Sequence, residues 1–198
     1  MINRTSVMKL LYVITIPFLI TTISILLLKV DDSERIIYLI LCLIILFIPG
    51  RISQIFYQDL YTGRKYSNAM NFDKALEYFL KFEKNIENNK WKKIFLWMTL
   101  PIYTTDVMAM VKFNIGSIYI NMGKIDEGEK YTKDAIYTDK KYPLPYLNLA
   151  LINKLKNNED EYLRNIKEAK QLGMKGSKID KAINGIQAFY ANIQSVEK

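Results

Sequence analysis

"FNIGSIYINMGKIDEGEKYTKDA" (residues 113–135) and "LNLALINKLKNNEDEYLRNIKEA" (residues 147–169) carry one pattern twice. Asn114 matches Asn148, Asp126 matches Asp160, Glu127 matches Glu161, Lys133 matches Lys167 and Ala135 matches Ala169, each pair 34 residues apart. A fixed interval of this length marks a supersecondary unit that cannot bury its apolar face alone and stacks on its neighbours.

Read as a unit, Ala109–Tyr142 has Ile115 just before Gly116, with Tyr119 one turn later. A turn at Gly123, then Asp126 and the small Gly128 and Ala135 follow. Pro143–Gly176 gives Tyr146, Leu149, Ala150, Asp160 and Ala169 at corresponding offsets. A third copy lies upstream in "GRKYSNAMNFDKALEYF" (residues 63–79), with Gly63, Tyr66, Phe72, Asp73, Ala75 and Phe79. Small residues at these places let two helices approach closely, while the aromatic ones fill the gaps between units.

Residues and spacing together resemble the tetratricopeptide repeat, a 34-residue helix-turn-helix unit. The resemblance covers about Phe56 to the C-terminus. Departures are Asp59 and Lys112 at the early tryptophan position, Asn153 in place of the tyrosine, and Tyr162 in place of a small residue. The resemblance implies an all-α domain over residues 51–198: a short α-solenoid of about three units. Beyond it, Ile179, Ala182, Ile183, Ile186, Phe189, Tyr190 and Ile193 recur at helical spacing, as expected of a helix capping the last unit.

One segment breaks the period. Gly63 and Gly116 are 53 residues apart, which leaves an insert at about 88–106 containing "NKWKKIFLWMTLPIY". Trp91, Lys92, Lys93, Phe95 and Trp97 suit a helix in a membrane interface, where Trp is favoured. A long second helix packed on the solenoid suits them equally.

The first fifty residues differ in kind. Residues 10–28 and 36–49 form two uncharged runs, separated by "KVDDSER". Nineteen helical residues would rise roughly 28 Å, near the thickness of a bilayer core. A transmembrane hairpin is expected there, rather than a cleaved signal peptide or a re-entrant segment. Arg4, Lys9, Arg51, Arg64 and Lys65 flank its outer ends, against Lys29 and Arg35 in the connecting loop. The positive-inside bias then predicts a multi-pass protein of the cell membrane with both termini cytoplasmic, and the lipid bilayer as one partner.

The chain holds 28 basic and 20 acidic residues, a net charge of +8. Four of the former and three of the latter lie in the first fifty positions, leaving the remainder at +7. Such a surface suits anionic lipid or an acidic partner, or is simply a solvated lysine-rich face. Without a basic cluster interleaved with aromatics outside the insert, no nucleic-acid partner is expected. The abundance of Ile, Lys, Asn and Tyr suggests a bacterial, AT-rich origin.

Histidine is absent and Cys42 is the single cysteine, so imidazole bases and thiolate clusters are excluded. No phosphate-binding glycine loop or nucleophile elbow appears. Asp126/Glu127 and Asp160/Glu161 open each unit's second helix, where negative charge suits the dipole. No catalytic residue, metal or cofactor is expected, and the chain reads as a non-enzyme.

Tetratricopeptide arrays bind peptides or proteins in a groove lined by first helices. The resemblance carries that role to Tyr57, Leu60 and Arg64, to Phe113, Asn114, Ser117 and Asn121, and to Leu147, Asn148, Leu151 and Leu155. The chaperone-tail clamp is not matched, since Leu60 and Leu144 stand where two of its lysines belong. The expected function is a membrane-tethered adaptor or scaffold that binds a protein or peptide. The alternative is a small integral subunit of a membrane complex (export, envelope assembly or immunity) whose hairpin does the recognition.

Overall fold

The computed structural model describes residues 14–15, 17–25, 31, 34, 36–40, 51–98 and 103–196. Among them the secondary structure is helical, with no strand. From residue 51 onward the helices come in pairs. The first pair is α1 (Gln58–Asn68) and α2 (Phe72–Asn88), followed by a 3-10 segment (Lys90–Met98). The second is α3 (Val107–Asn121) and α4 (Ile125–Thr138), and the third is α5 (Leu144–Leu155) and α6 (Glu159–Gln171). A last helix, α7 (Gly176–Val196), follows.

Each helix packs on its chain neighbours: α1 on α2, α3 on α4 and α5 on α6 within pairs, α2 on α3 and α4 on α5 between them. Contacts of α3 with α5, and of α7 with both α5 and α6, complete an arrangement compatible with a short α-solenoid.

The period reappears in the turns. Met70, Gly123 and Asn157 each end a first helix with a left-handed backbone, at φ 56°, 77° and 57°. The following amide reaches back to close the turn: Asn71 N to Tyr66 O, Lys124 N to Tyr119 O and Asn158 N to Asn153 O, at 3.0, 2.9 and 2.8 Å. That six-to-one bond takes up a carbonyl the helix end leaves open. Asn71 and Asn158 then cap the second helices, their side chains accepting from Lys74 N and Glu161 N.

Small residues set the spacing within pairs. A Cβ on Gly63 would lie 2.8 Å from the Phe79 ring. One on Gly116 would lie 3.1 Å from Gly128 O, and one on Gly128 would lie 2.6 Å from Ile120 Cγ1. Gly116 and Gly128 therefore allow the α3–α4 contact from both sides. The main core runs through the first two pairs and includes Tyr57, Leu60, Ala75, Phe79, Phe82, Ile86, Val111 and Ile115. In the third pair Ala150 and Tyr162 occupy the positions of Gly116 and Gly128, and they form a smaller cluster with Leu151 and Ile166.

The expectation of an N-terminal transmembrane hairpin is overturned. Among the described residues no helix is long and apolar enough to cross a membrane. In the first run the longest described stretch is helical over 17–25, about 14 Å at about 1.5 Å per residue, where a span needs about 30 Å. In the second run it is 36–40. Residues 10–13, 16, 26–28 and 41–49 of the two expected spans lie outside the described residues. A multi-pass location in the cell membrane, with both termini in the cytoplasm, loses its support with the hairpin. The longest described helix, α7, has 21 residues but carries Lys178, Asp180 and Lys181 in its first two turns.

Candidate functional site

The first helices of the pairs carry two neighbouring clefts that meet at Leu144. The first has a volume of about 490 Å³ and is walled by α1, α3 and the start of α5. Tyr61, Arg64 and Asn68 reach it from α1, Met110 and Asn114 from α3, Tyr142 from the α4–α5 connection and Leu144 from the start of α5. Leu96, Tyr103 and Thr104 close it from the segment joining α2 to α3. The second, about 280 Å³, lies between Phe113 and Asn121 of α3, Leu144, Leu147, Asn148 and Leu151 of α5, and Ala182 and Gly185 of α7.

The residues assigned to a groove from sequence distribute over both clefts. Tyr57, Leu60, Arg64 and Asn114 line the first, and Phe113, Asn121, Leu147, Asn148 and Leu151 line the second. Tyr57 and Leu60 are 0% and 1% exposed, so they support the wall rather than offer a contact surface. Ser117 connects α3 to α5: its hydroxyl donates to Phe113 O at 3.0 Å and accepts from Asn148 Nδ2 at 2.9 Å. Asn121 Nδ2 donates back to Ser117 O at 2.8 Å. Leu155, half-buried near the end of α5, lines neither cleft.

Insert residues 90–98 form a 3-10 segment folded against the first pair. The Tyr57 hydroxyl donates to Lys92 O at 2.9 Å, and Leu96 is buried beside it. Burial raises the Tyr57 phenol well above its ordinary pKa, so it remains a neutral donor. Trp91 is 56% exposed, with its ring edge-on to Phe56 at 5.3 Å. Lys92 Nζ donates to Asn85 Oδ1 at 2.7 Å, and Lys93 is half-buried. The side chains of Phe95 and Trp97 lie outside the described residues.

The rim beyond the insert is pinned by polar contacts. Thr104 Oγ1 donates to Asp139 Oδ2 at 2.6 Å and accepts from Asp106 N at 3.0 Å. Asp106 caps α3, accepting from Met108 N and Ala109 N at 2.7 and 3.2 Å. These bonds hold Tyr103 at the cleft edge, where its hydroxyl accepts from Lys178 Nζ of α7 at 2.6 Å.

Two groups in the first cleft have spare hydrogen-bonding capacity. The Asn114 amide nitrogen is buried and has no hydrogen-bond partner among the described residues. Arg64 is exposed, and among the described residues its guanidinium meets only the weak acceptor Met110 Sδ, at 2.8 Å. Among the described residues Arg64 is the one charged residue lining this cleft, and none lines the second. Burial drives the Tyr142 phenol strongly upward, and the Arg64 charge offsets this only in part. A surface of this kind recognises acceptors and apolar groups. Among the described residues no cluster of His, Cys, Asp or Glu is placed to hold a metal ion.

Sequence reasoning missed Tyr61, Tyr103, Met110 and Tyr142 in the first cleft and Ala182 and Gly185 in the second. For the last two a signal existed: they stand 34 residues after Asn148 and Leu151. Helix α7 thus occupies the place of a fourth first helix as well as following the last pair. No protein-family model matches the chain, and no curated protein matches it.

Proposed function

We propose that this chain is a protein-interaction module, a short tetratricopeptide-like α-solenoid that binds a peptide or an extended protein segment along its first helices. The observation that carries the reading is the pair of clefts meeting at Leu144, lined along the first helices by Asn114 and Asn148. An amide supplies both a donor and an acceptor, the complement of a peptide unit. The walls are prepacked by the core and by the Ser117–Asn148 bond, so binding requires little ordering of the receptor.

The test is site-specific photocrosslinking of the full chain in its own cells. The probe is placed at Asn121, on the cleft face, and at Lys133, on the outward face of α4. A discrete adduct from position 121 and none from 133 is the expected result. Equal adducts from both positions, or an adduct from 133 alone, would refute binding along the first helices.

A further inference from the structure

We infer that the two clefts are distinct subsites, the first for an acidic side chain and the second for a large apolar one, of a single extended partner segment. This rests on the proposed binding along the first helices and specifies what is read there.

Charge complementarity argues for the first subsite. Among the described residues Arg64 brings the only charge to the lining, no Asp or Glu lines either cleft, and no carboxylate pairs with the guanidinium. Lys178 adds a second cation at the rim, on Tyr103. An arginine fork held only by a thioether has its strong donors unspent, and a carboxylate matches their geometry.

Shape argues for the second. Phe113, Leu144, Leu147 and Leu151 give it apolar walls, while α7 brings Ala182 and Gly185 where the preceding unit has Asn148 and Leu151. The smaller residues leave space: a Cβ built on Gly185 meets nothing within 4 Å. A cavity of about 280 Å³ has room for one leucine or phenylalanine side chain. Neighbouring packed helices lie about 8–10 Å apart, and an extended chain of polyproline-II geometry rises about 3.1 Å per residue with about three residues per turn. The two side chains should therefore stand about three residues apart in the partner. A free C-terminus is not required, since both subsites read side chains.

The experiment is selection of random peptides displayed as internal loops, without free ends, on the full chain and on R64E, R64Q, G185L and N121W, each first checked for an unchanged helical spectrum. The inference expects peptides with an acidic residue about three positions from Leu or Phe to be enriched about tenfold, the equivalent of about 1.4 kcal/mol. R64Q should abolish the acidic preference and R64E should reverse it toward Lys or Arg. G185L should abolish the apolar preference and leave the acidic one. Peptides lost on N121W but indifferent to the Arg64 and Gly185 variants would overturn the two-subsite inference and leave binding along the first helices standing. Peptides that survive N121W, or no enrichment at all, would overturn both.

Discussion

Lys124 is the one second-helix N-cap among the three pairs that lacks a capping side chain, and this makes a direct test of how the units are built. The backbone there has φ −85° and ψ 74°, against −88° and 79° at Asn71 and −97° and 84° at Asn158. Asn71 and Asn158 each accept an amide hydrogen bond three residues on, both at 3.3 Å, whereas Lys124 makes none. Lys124→Asn should therefore place a side-chain carbonyl where the amide of Glu127 needs it, without moving the chain. An N-cap is worth about 0.5–2 kcal/mol, and bonds as long as 3.3 Å argue for the lower half of that range. Removing a cation from the positive end of α4 adds about 0.3 kcal/mol or more. The sum is about 1 kcal/mol, or about 2–4 °C in Tm for a chain of this size. Thermal unfolding of Lys124→Asn, beside Asn158→Ala as the reverse change, measures it. The reasoning is refuted if Lys124→Asn melts at or below the parent temperature while Asn158→Ala loses about 1 kcal/mol.

Other substitutions follow from the same geometry. Gly116→Ala should destabilise by roughly 1 kcal/mol, because about 1–3 kcal/mol of overpacking against Gly128 O and Thr132 outweighs about 1 kcal/mol of helix propensity. Gly185→Ala meets nothing within 4 Å and should stabilise by up to about 1 kcal/mol, so urea midpoints should move in opposite directions. Thr132→Val removes a buried hydroxyl that has no hydrogen-bond partner among the described residues and should raise stability by about 1 kcal/mol in the same assay. Glu129 is held below the usual carboxylate range by Lys133 and then Lys156. Its contribution is present above its unfolded pKa of about 4.3 and is lost as pH falls through the lower folded value. Glu129→Gln should therefore flatten the acid limb of a stability–pH profile, by less than about 1 kcal/mol for so accessible a group; an unchanged slope contradicts the assignment.

The repeat was legible in the sequence because packing and turn geometry recur at one interval. Gly63, Gly116 and Ala150 sit where paired helices touch, and Met70, Gly123 and Asn157 sit where the chain reverses. Both demands act within a unit, so they leave a periodic trace. The insert leaves none. Its role as a cleft wall depends on Tyr57 reaching Lys92 and on Thr104 reaching Asp139, contacts between segments about 35 residues apart. Arg64 was legible as a groove position, but that no carboxylate among the described residues pairs with it became visible only once the surrounding elements were in place. The uncharged runs at 10–28 and 36–49 were the least informative feature. Composition records that residues are apolar, whereas crossing a bilayer requires a continuous apolar helix of about 30 Å, and no helix among the described residues is one.

Hydrogen–deuterium exchange of the full chain, with and without the partner recovered by crosslinking, tests the central claim most directly. The account predicts slowed exchange in α1, α3 and α5 and at the 103–106 rim, with α2, α4 and α6 unchanged. Protection confined to the second helices, with the cleft residues exchanging as before, would contradict it.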